Sequence, residues 1–294
     1  MAARKLTVGY LYPEIMSGYG DRGNLASIMR RCEWRGIATE VRELRLGDPV
    51  DPDEVDLFLI GDGGEFHQRL IATDLADVKG PDIREAVSQG SALLAVGAGY
   101  ELLGRFYQPC RGVELPGASL FDTWTIQQGA DLTAASCTIT EARADRVIGD
   151  LVVQWDCADL GGRPPGAPRG ADLGGRPPGA PRGELLVGFE NHSARTYLGP
   201  AACPFGNVVV GQGNNGDGCE GVRLRGAIGT YLRGPCLPRN PVLTDFLIRT
   251  ALLRRYADAE LAALAELPDE LEHTARDTAV RRLSANKRAT AVAG

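Results

Sequence analysis

Residues 92–104 read ALLAVGAGYELLG, a short apolar run that ends in two closely spaced glycines and continues into an amphipathic segment. This order is typical of a buried strand that turns sharply into a helix. Upstream, apolar runs alternate with stretches of helical spacing, at 6–12, 25–35, 38–41, 57–60 and 83–89. The alternation predicts an α/β fold with a mostly parallel central sheet flanked by helices.

The second half of the chain has a less regular pattern. Short apolar runs at 185–189, 208–210 and 227–231 predict further strands. Helical spacing then extends from Pro241 to about Tyr256, with the proline at a plausible first helical position. The sequence therefore predicts a long helix after the last strand.

The pattern predicts a domain at 1–256 and a helical tail at 257–294. A length of 294 residues fits one large domain with appendages as well as it fits two domains. In the tail, Pro268 interrupts the helical spacing, which predicts two short amphipathic helices and a disordered end at 285–294. We expect the tail to pack on its own domain, and docking on a partner protein is the alternative.

A tandem duplication interrupts the predicted domain, because residues 158–170 recur unchanged at 171–183. Its proline and glycine content cannot form a helix or a strand ladder, so 158–183 is predicted to be a flexible loop without a chemical role. The alternative is a loop that binds a partner through its arginines.

Composition narrows the function classes. A net charge of -6 with 6% aromatic residues gives no basic surface for nucleic acid. The chain has no apolar run of the ~18 residues that span a bilayer and no apolar stretch near its start, which predicts a cytoplasmic protein without membrane insertion. Seven cysteines without a CxxC pair, and only three histidines, predict reduced thiols and no metal site.

Glycine-rich turns follow three of the predicted strands. They lie at 61–68, 97–104 and 211–218, and the last is followed by the block 229–235. Ligands of open parallel sheets bind beyond the carboxyl ends of the strands, and glycines let backbone N–H groups face them. Each turn alone is a weak signal of a binding site.

Together these turns resemble the GatD type of class I glutamine amidotransferase, the glutaminase subunit of lipid II isoglutaminyl synthase, and more distantly the other CobB/CobQ-like amidotransferases. The resemblance covers nearly all of residues 6–256 except the duplicated loop. The matching motifs lie at 19–24, 31–36, 61–68, 97–104, 146–149, 188–192, 213–216 and 229–241. The resemblance implies a flavodoxin-like sheet of the class I amidotransferase fold.

The resemblance also implies a reaction. In the family, a cysteine at the strand-to-helix elbow attacks the glutamine carboxamide, and a late histidine activates the thiol. The released ammonia passes to a Mur-ligase-like (MurT-type) partner subunit, which uses ATP to amidate the lipid II stem peptide. An elbow suits this chemistry because the nucleophile must project from the sheet close to backbone donors. No cofactor or metal is implied for this chain.

This sequence departs from the family at the catalytic positions. Gly97 stands where the family has its cysteine, and Arg233 stands where it has its histidine. Glycine has no nucleophile, and arginine cannot accept a proton at neutral pH. Glu101 replaces a glutamine, and Asp62 replaces a glycine of the oxyanion turn. Four changes in one site indicate natural decay or a new use rather than an engineered substitution.

The resemblance implies eight ligand-binding positions: Gly63, Ala98, Tyr100, Glu101, Arg146, His192, Asn214 and Asn215. Arg146 matches a family arginine suspected of holding glutamine, and a salt-bridged surface arginine is the alternative. His192 is expected to be a hydrogen-bonded structural histidine. We also predict an ion pair between Glu101 and Arg233 that fills the glutamine pocket.

Two hypotheses about function follow. The first is a glutaminase-inactive subunit that acts as a scaffold or regulator for the ligase partner, or that binds glutamine or a related small molecule. The second is an amidotransferase or hydrolase that is active through unrecognised residues. A substitute nucleophile is not expected at Cys110, Cys219 or Cys236, because none follows a strand into a helix.

Overall fold

The computed structural model describes residues 4–127, 146–155, 183–256 and 264–292, with side chains up to residue 283. Its strands are β1 (Lys5–Leu11), β2 (Ala38–Leu44), β3 (Leu57–Ile60), β4 (Ala92–Val96), β5 (Phe106–Gln108), β6 (Leu115–Pro116), β7 (Thr123–Gln127), β8 (Val147–Trp155), β9 (Glu184–His192), β10 (Ala194–Leu198), β11 (Gly206–Val210), β12 (Cys219–Glu220), β13 (Val222–Leu224) and β14 (Ala227–Thr230).

The helices alternate with the strands in the first part of the chain, and the last three helices follow the final strand, β14. They are α1 (Arg22–Glu33), α2 (Glu65–Thr73), α3 (Gly80–Ser88), α4 (Ala98–Leu102), α5 (Cys236–Arg239), α6 (Pro241–Tyr256) and α7 (Glu270–Val292). A π-helical segment, Asp74–Lys79, joins α2 directly to α3.

The central sheet has six strands in the order β13-β14-β4-β3-β1-β2. The five strands from β14 to β2 pair in parallel, and β13 is an antiparallel edge strand. Every residue of β3 and β4 is buried, as expected for parallel strands with both faces covered. The predicted α/β fold with a mostly parallel central sheet is therefore confirmed.

Two smaller sheets flank the central one. Their strand orders are β10-β7-β5-β6 and β12-β11-β8-β9. In the second, β8 and β9 form a nine-residue antiparallel ladder that runs from Val147↔His192 to Trp155↔Glu184. The ladder places the end of β9 and the start of β8 side by side, close to the turns of the central sheet.

Helix α6 covers one face of the central sheet. Its apolar positions recur at helical spacing, and Leu243, Leu247, Ile248 and Leu252 are fully buried. Burying one such side chain contributes about 1.5–3 kcal/mol, so this stripe is a large part of what holds α6 on the sheet. The helix has the bounds that the sequence predicted.

Two arginines of the α1 region attach the tail to the domain. Arg31, which is almost fully buried, donates from Nε to Asp245 (2.7 Å) and from Nη1 to Asp269 (2.6 Å), just before α7. Arg35 donates to Asp245 as well and to the carbonyl of Ala265. The described part of the tail therefore packs against its own domain.

Three predictions need correction or fall outside the described residues. Residues 285–292 belong to α7, so the prediction of a disordered end at 285–294 is wrong for them. Helix α7 begins after Pro268 and runs unbroken, because its interior has neither proline nor glycine. The duplicated loop at 158–183 lies outside the described residues except for its last position. The division at residue 256 stays a prediction.

The structure also bears on the predictions about thiols, metal sites and membrane-spanning helices. Cys110 is disulfide-bonded, so the expectation of reduced thiols is wrong at that position. Within the described residues no group of histidine, cysteine and carboxylate side chains could hold a metal ion. None of the helices in the same ranges is long and apolar enough to cross a membrane.

Candidate functional site

The turn from β4 into α4 is a strand-to-helix elbow centred on Gly97. Its φ of 54° lies in the left-handed region that favours glycine. The Gly97 N–H donates to the carbonyl of Thr230 (3.0 Å), and the Gly97 carbonyl accepts from the N–H of Glu101 (3.0 Å). These bonds join the elbow to β14 on one side and to α4 on the other. The sharp turn predicted from the sequence is present.

The side chain of Asp62, from the turn after β3, fills the space in front of the elbow. One carboxylate oxygen accepts the N–H of Ala98 (2.8 Å), and the other is paired with the guanidinium of Arg233. A Cβ atom on Gly97 would lie 2.5 Å from Asp62 Oδ1 and 2.9 Å from Arg233 Cζ. Asp62 and Arg233 therefore fill the space that a side chain at position 97 would need. Asp62 also occupies the Ala98 N–H, the first backbone donor of α4.

Backbone contacts hold Asp62 from the other side. Its N–H donates to Asp21 Oδ2 (2.7 Å), and its carbonyl accepts from the N–H of Gly18 (2.9 Å). Asp21 is almost fully buried at the start of α1, and burial raises its pKa to about 7, although nearby Arg233 opposes the shift. The loops after β1 and β3 together fix the position of the Asp62 carboxylate.

Arg233 reaches this carboxylate from the segment after β14. Its backbone forms a bridge with Phe189 of β9, and its guanidinium lies 5.2 Å from the ring centre of Tyr19. Burial lowers the pKa of Arg233 to about 10, which leaves it protonated at neutral pH. Its Nε has no hydrogen-bond partner in the described structure.

Glu101 has other partners than the one predicted. Its two carboxyl oxygens accept from Gln68 Nε2 (2.7 Å) and from the hydroxyl of Tyr231 (3.0 Å). The predicted Glu101–Arg233 pair is therefore wrong, because Asp62 on the adjacent turn already binds the guanidinium. Glu101 is one helical turn beyond the elbow, where burial raises its pKa.

A cavity of about 280 Å³ opens next to the Asp62–Arg233 pair. Four of the eight predicted ligand-binding residues line it, namely Gly63, Glu101, Arg146 and His192. The other four support the site from behind or from the side. The Tyr100 hydroxyl donates to Asn214 Oδ1 (3.2 Å), Asn215 donates to the carbonyl of Thr196, and Ala98 binds Asp62 as described.

One wall of the cavity is built from β9 and the start of β8. The His192 ring stacks on Tyr231, with 3.9 Å between ring centres, and its Nδ1 lies 2.8 Å from the Ala194 carbonyl. Arg146 donates from Nε to Asn191 Oδ1 (2.6 Å), and the Asn191 amide donates to the hydroxyl of Tyr19 (3.0 Å). Among the described residues no carboxylate forms an ion pair with Arg146, and its role in holding a ligand stays a prediction.

Sequence reasoning missed two residues that hold Glu101 in place. Gln68 is the last residue of the glycine-rich motif at 61–68 and lies on α2, where its buried amide donates to Glu101. Tyr231 connects Glu101 to a buried hydroxyl chain through Thr196 and Thr125. Both residues belong to motifs that matched the family, so their position in those motifs was the available signal.

The glycine-rich turn after β3 and the elbow after β4 lie at the carboxyl ends of adjacent parallel strands, where open α/β sheets bind their ligands. A model of the CobB/CobQ-like glutamine amidotransferase domain matches residues 7–241, and the chain belongs to that family. This confirms the resemblance inferred from the motifs.

Three known proteins show how far the similarity extends. The GatD subunit of lipid II isoglutaminyl synthase from Staphylococcus aureus is 29% identical, over 97% of this chain and 98% of the relative. The GatD subunit from Streptococcus pneumoniae is also 29% identical, over 90% and 87%. The PurLQS structure from Thermotoga maritima matches with a TM-score of 0.50 at 13% identity, over 86% of this chain and 100% of that one, which is a likeness of fold.

Proposed function

We propose that this chain is a GatD-type subunit of a lipid II isoglutaminyl synthase that has lost glutamine hydrolysis and acts as a scaffold or regulator for a Mur-ligase-like partner in the cytoplasm. The curated relatives, which are similar over nearly their whole length, support the inherited assembly. The Asp62–Arg233 pair in front of Gly97 is the observation that supports the loss of activity.

Hydrolysis through a thioester needs a nucleophile, a base and free oxyanion donors. Gly97 supplies no nucleophile, and the protonated guanidinium of Arg233 cannot act as a base. The Ala98 N–H, the donor that follows the nucleophile position, already binds Asp62. The elbow therefore has neither nucleophile nor base, and one of its oxyanion donors is occupied.

The competing hypothesis is an active amidotransferase or hydrolase that uses other residues. It would need a thiol near the elbow. Cys236 follows Arg233 by three residues, is buried, and donates from Sγ to Asn24 Oδ1 (3.7 Å). Burial raises the pKa of Cys236 to about 12, so its thiolate is scarce at neutral pH. This favours the inactive subunit.

An ammonia-release assay with glutamine, on the purified chain alone and with its ligase partner, tests the proposal. We expect no release above the rate of buffer, and intact-mass analysis should find no glutamyl adduct. A covalent adduct, or turnover that depends on the chain, would contradict the proposal. Stable co-purification with the ligase is the expected positive result.

A further inference from the structure

Strand β2 is the last strand of the central sheet, and one of its edges pairs with no other strand of the described residues. Its pairing with β1 determines which backbone groups face that edge. The N–H of Ala38 donates to the carbonyl of Arg4 (2.8 Å), and the carbonyl of Leu44 accepts from the N–H of Tyr12 (2.9 Å). The even-numbered residues of β2 therefore direct their backbone groups toward β1.

The odd-numbered residues direct their backbone groups to the open edge. Successive residues of a strand point their N–H and C=O groups to opposite sides, so those of Thr39, Val41 and Glu43 face away from β1. Within the described ranges no backbone or side-chain group binds them. Such a row of unpaired donors and acceptors is a template for one more strand.

Two opposite charges lie symmetrically about Val41 on one face of β2. Glu40 and Arg42 point to the same side, with Arg42 Nε 3.1 Å from Glu40 Oε1, and both side chains are more than a third exposed. Lys5 is paired with Glu40, and Glu54 is paired with Arg42. These four charges sum to zero, so this face does not repel an identical face.

We propose that the open edge of β2 pairs antiparallel with the same edge of a second copy of this chain, about a two-fold axis at Val41. In this register Val41 lies opposite Val41 and Thr39 opposite Glu43, and the residues of each pair exchange both N–H···O bonds. Glu40 of each copy lies opposite Arg42 of the other, which is a favourable cross-strand pair. The two central sheets thereby become one continuous sheet.

The charges select this register over its neighbours. A slip by one residue would set the outward backbone groups of one copy against residues whose groups face β1 in the other, and the hydrogen bonds would be lost. A slip by two residues would place Glu40 opposite Glu40, or Arg42 opposite Arg42, and like charges directly opposite each other are unfavourable. Charges at an edge strand usually prevent pairing, but their symmetric placement here permits one register.

Exposed apolar side chains flank β2 at both ends. Trp34, at the end of α1, is 59% exposed, and Leu46, just after the strand, is 51% exposed. An antiparallel pair places the start of each strand beside the end of the other, which brings Trp34 of one copy toward Leu46 of the second. Removing these side chains from water would add to the association.

Sedimentation velocity of the full chain tests the proposal. A pair of short strands is a small interface, so we expect a reversible monomer–dimer equilibrium with a dissociation constant of about 10–100 μM. Glu40→Arg and Arg42→Glu each place like charges opposite each other, and each should weaken the dimer at least about tenfold. Glu114→Arg, at an exposed position just before β6 in another sheet, is the matched control and should leave the dimer unchanged.

An equimolar mixture of Glu40→Arg and Arg42→Glu gives the sharpest result. Opposite charges face each other again in the mixed pair, so heterodimers should form at concentrations at which each variant alone is monomeric. Thr39→Pro is an uncharged second test, because it removes an outward N–H at an edge where proline is tolerated, and it should also weaken the dimer. Urea unfolding confirms that each variant is folded.

Three results would overturn the inference. They are a chain that stays monomeric at every concentration up to several times the expected dissociation constant, a dimer that the substitutions in β2 leave unchanged, and a mixture that stays monomeric. None of these measurements involves glutamine, so their outcome is independent of the proposed loss of hydrolysis.

Discussion

The carboxylate of Asp62 has three roles at the elbow. It occupies the volume beside Gly97, accepts the Ala98 N–H, and neutralises Arg233. The pair is almost completely shielded from water, where a lone charge of either sign would be strongly disfavoured. Its two members therefore depend on each other, and substitutions at this site should be strongly non-additive.

Gly97 is the position where a small side chain should be most harmful. In Gly97→Ala the methyl group would meet Asp62 at 2.5 Å, at a φ that alanine rarely adopts. We expect a loss of roughly 2–4 kcal/mol in the free energy of unfolding, measured in urea. Gly149→Ala, where a Cβ meets nothing within 4 Å, is the control and should change stability little. Equal effects at both positions would contradict the packing described here.

Restoring the family residues at two positions should not restore activity. In Gly97→Cys with Arg233→His, Asp62 still occupies the Ala98 N–H and the space of the thiol. Adding Asp62→Gly should clear both, so the triple variant is expected to release ammonia from glutamine faster than the double variant. Asp62→Gly alone, which lacks a nucleophile, is the control. Equal rates for the double and triple variants would show that Asp62 does not block the elbow.

Asp21 should make stability depend on pH. Its pKa in the folded chain is about 7, against 3.8 for an unperturbed aspartate, so between those values the folded state holds a proton that the unfolded state has lost. Stability should therefore fall as pH rises from about 4 to 7, by at most ~1.4 kcal/mol per pH unit.

Urea unfolding of the unsubstituted chain and of Asp21→Asn across this range measures the slope. The variant keeps an acceptor for the Asp62 N–H and should show a shallower slope. The buried carboxyl of Glu220, whose pKa burial also raises to about 7, contributes to both proteins alike. Asp77→Asn, at an exposed position, controls for the loss of a charge. An unchanged slope in Asp21→Asn would contradict the assignment.

At the scale of elements, the sequence was most informative where burial is complete. The bounds of β3, β4 and α6 match the predicted ranges, because uninterrupted apolar runs and a proline at the first helical position are local signals. Strands β5 and β6 have three and two residues, and they exist through pairing with distant segments. Such strands carry too little local pattern to be predicted.

The candidate site was also predicted only where its sequence signals are local. The glycine-rich turns and the elbow were predicted because the sequence signal of each one lies within a few consecutive residues. The Asp62–Arg233 pair joins positions 171 residues apart, and the sequence offered two carboxylates for one guanidinium. Only the register of β3 against β4 decides which carboxylate is adjacent, so the choice of Glu101 was wrong.

The attachment of α7 through Arg31 can be tested as one element. Arg31→Ala would leave Asp269 without its partner and Asp245 with Arg35 alone, and we expect a loss of about 2–4 kcal/mol in the free energy of unfolding. Limited proteolysis should also cut faster between α6 and α7. Arg30→Ala, whose exposed side chain pairs with Glu33, is the control and should change neither measurement. Unchanged proteolysis in Arg31→Ala would mean that other contacts hold α7.

At the scale of the whole molecule, the duplicated segment should be thermodynamically neutral. It lies between β8 and β9, and these two strands are paired up to Trp155↔Glu184 without it. Deleting residues 171–183 should change the free energy of unfolding by no more than ~0.6 kcal/mol, the cost of doubling a loop. Urea unfolding measures this, and a loss of several kcal/mol would show that the segment packs on the fold.

The dependence between Asp62 and Arg233 also limits the evolutionary history open to this chain. Gly97→Cys as a first step meets a filled space, while Arg233→His or Asp62→Gly as a first step leaves one buried charge without its partner. Breaking a buried pair from one side typically costs about 3–5 kcal/mol, a large share of the stability of a domain. Under the proposed loss of hydrolysis, a return of the elbow residues by any of these three first steps thus passes through a destabilised intermediate. The proposed loss of hydrolysis would therefore be difficult to reverse in descendants that retain this pair.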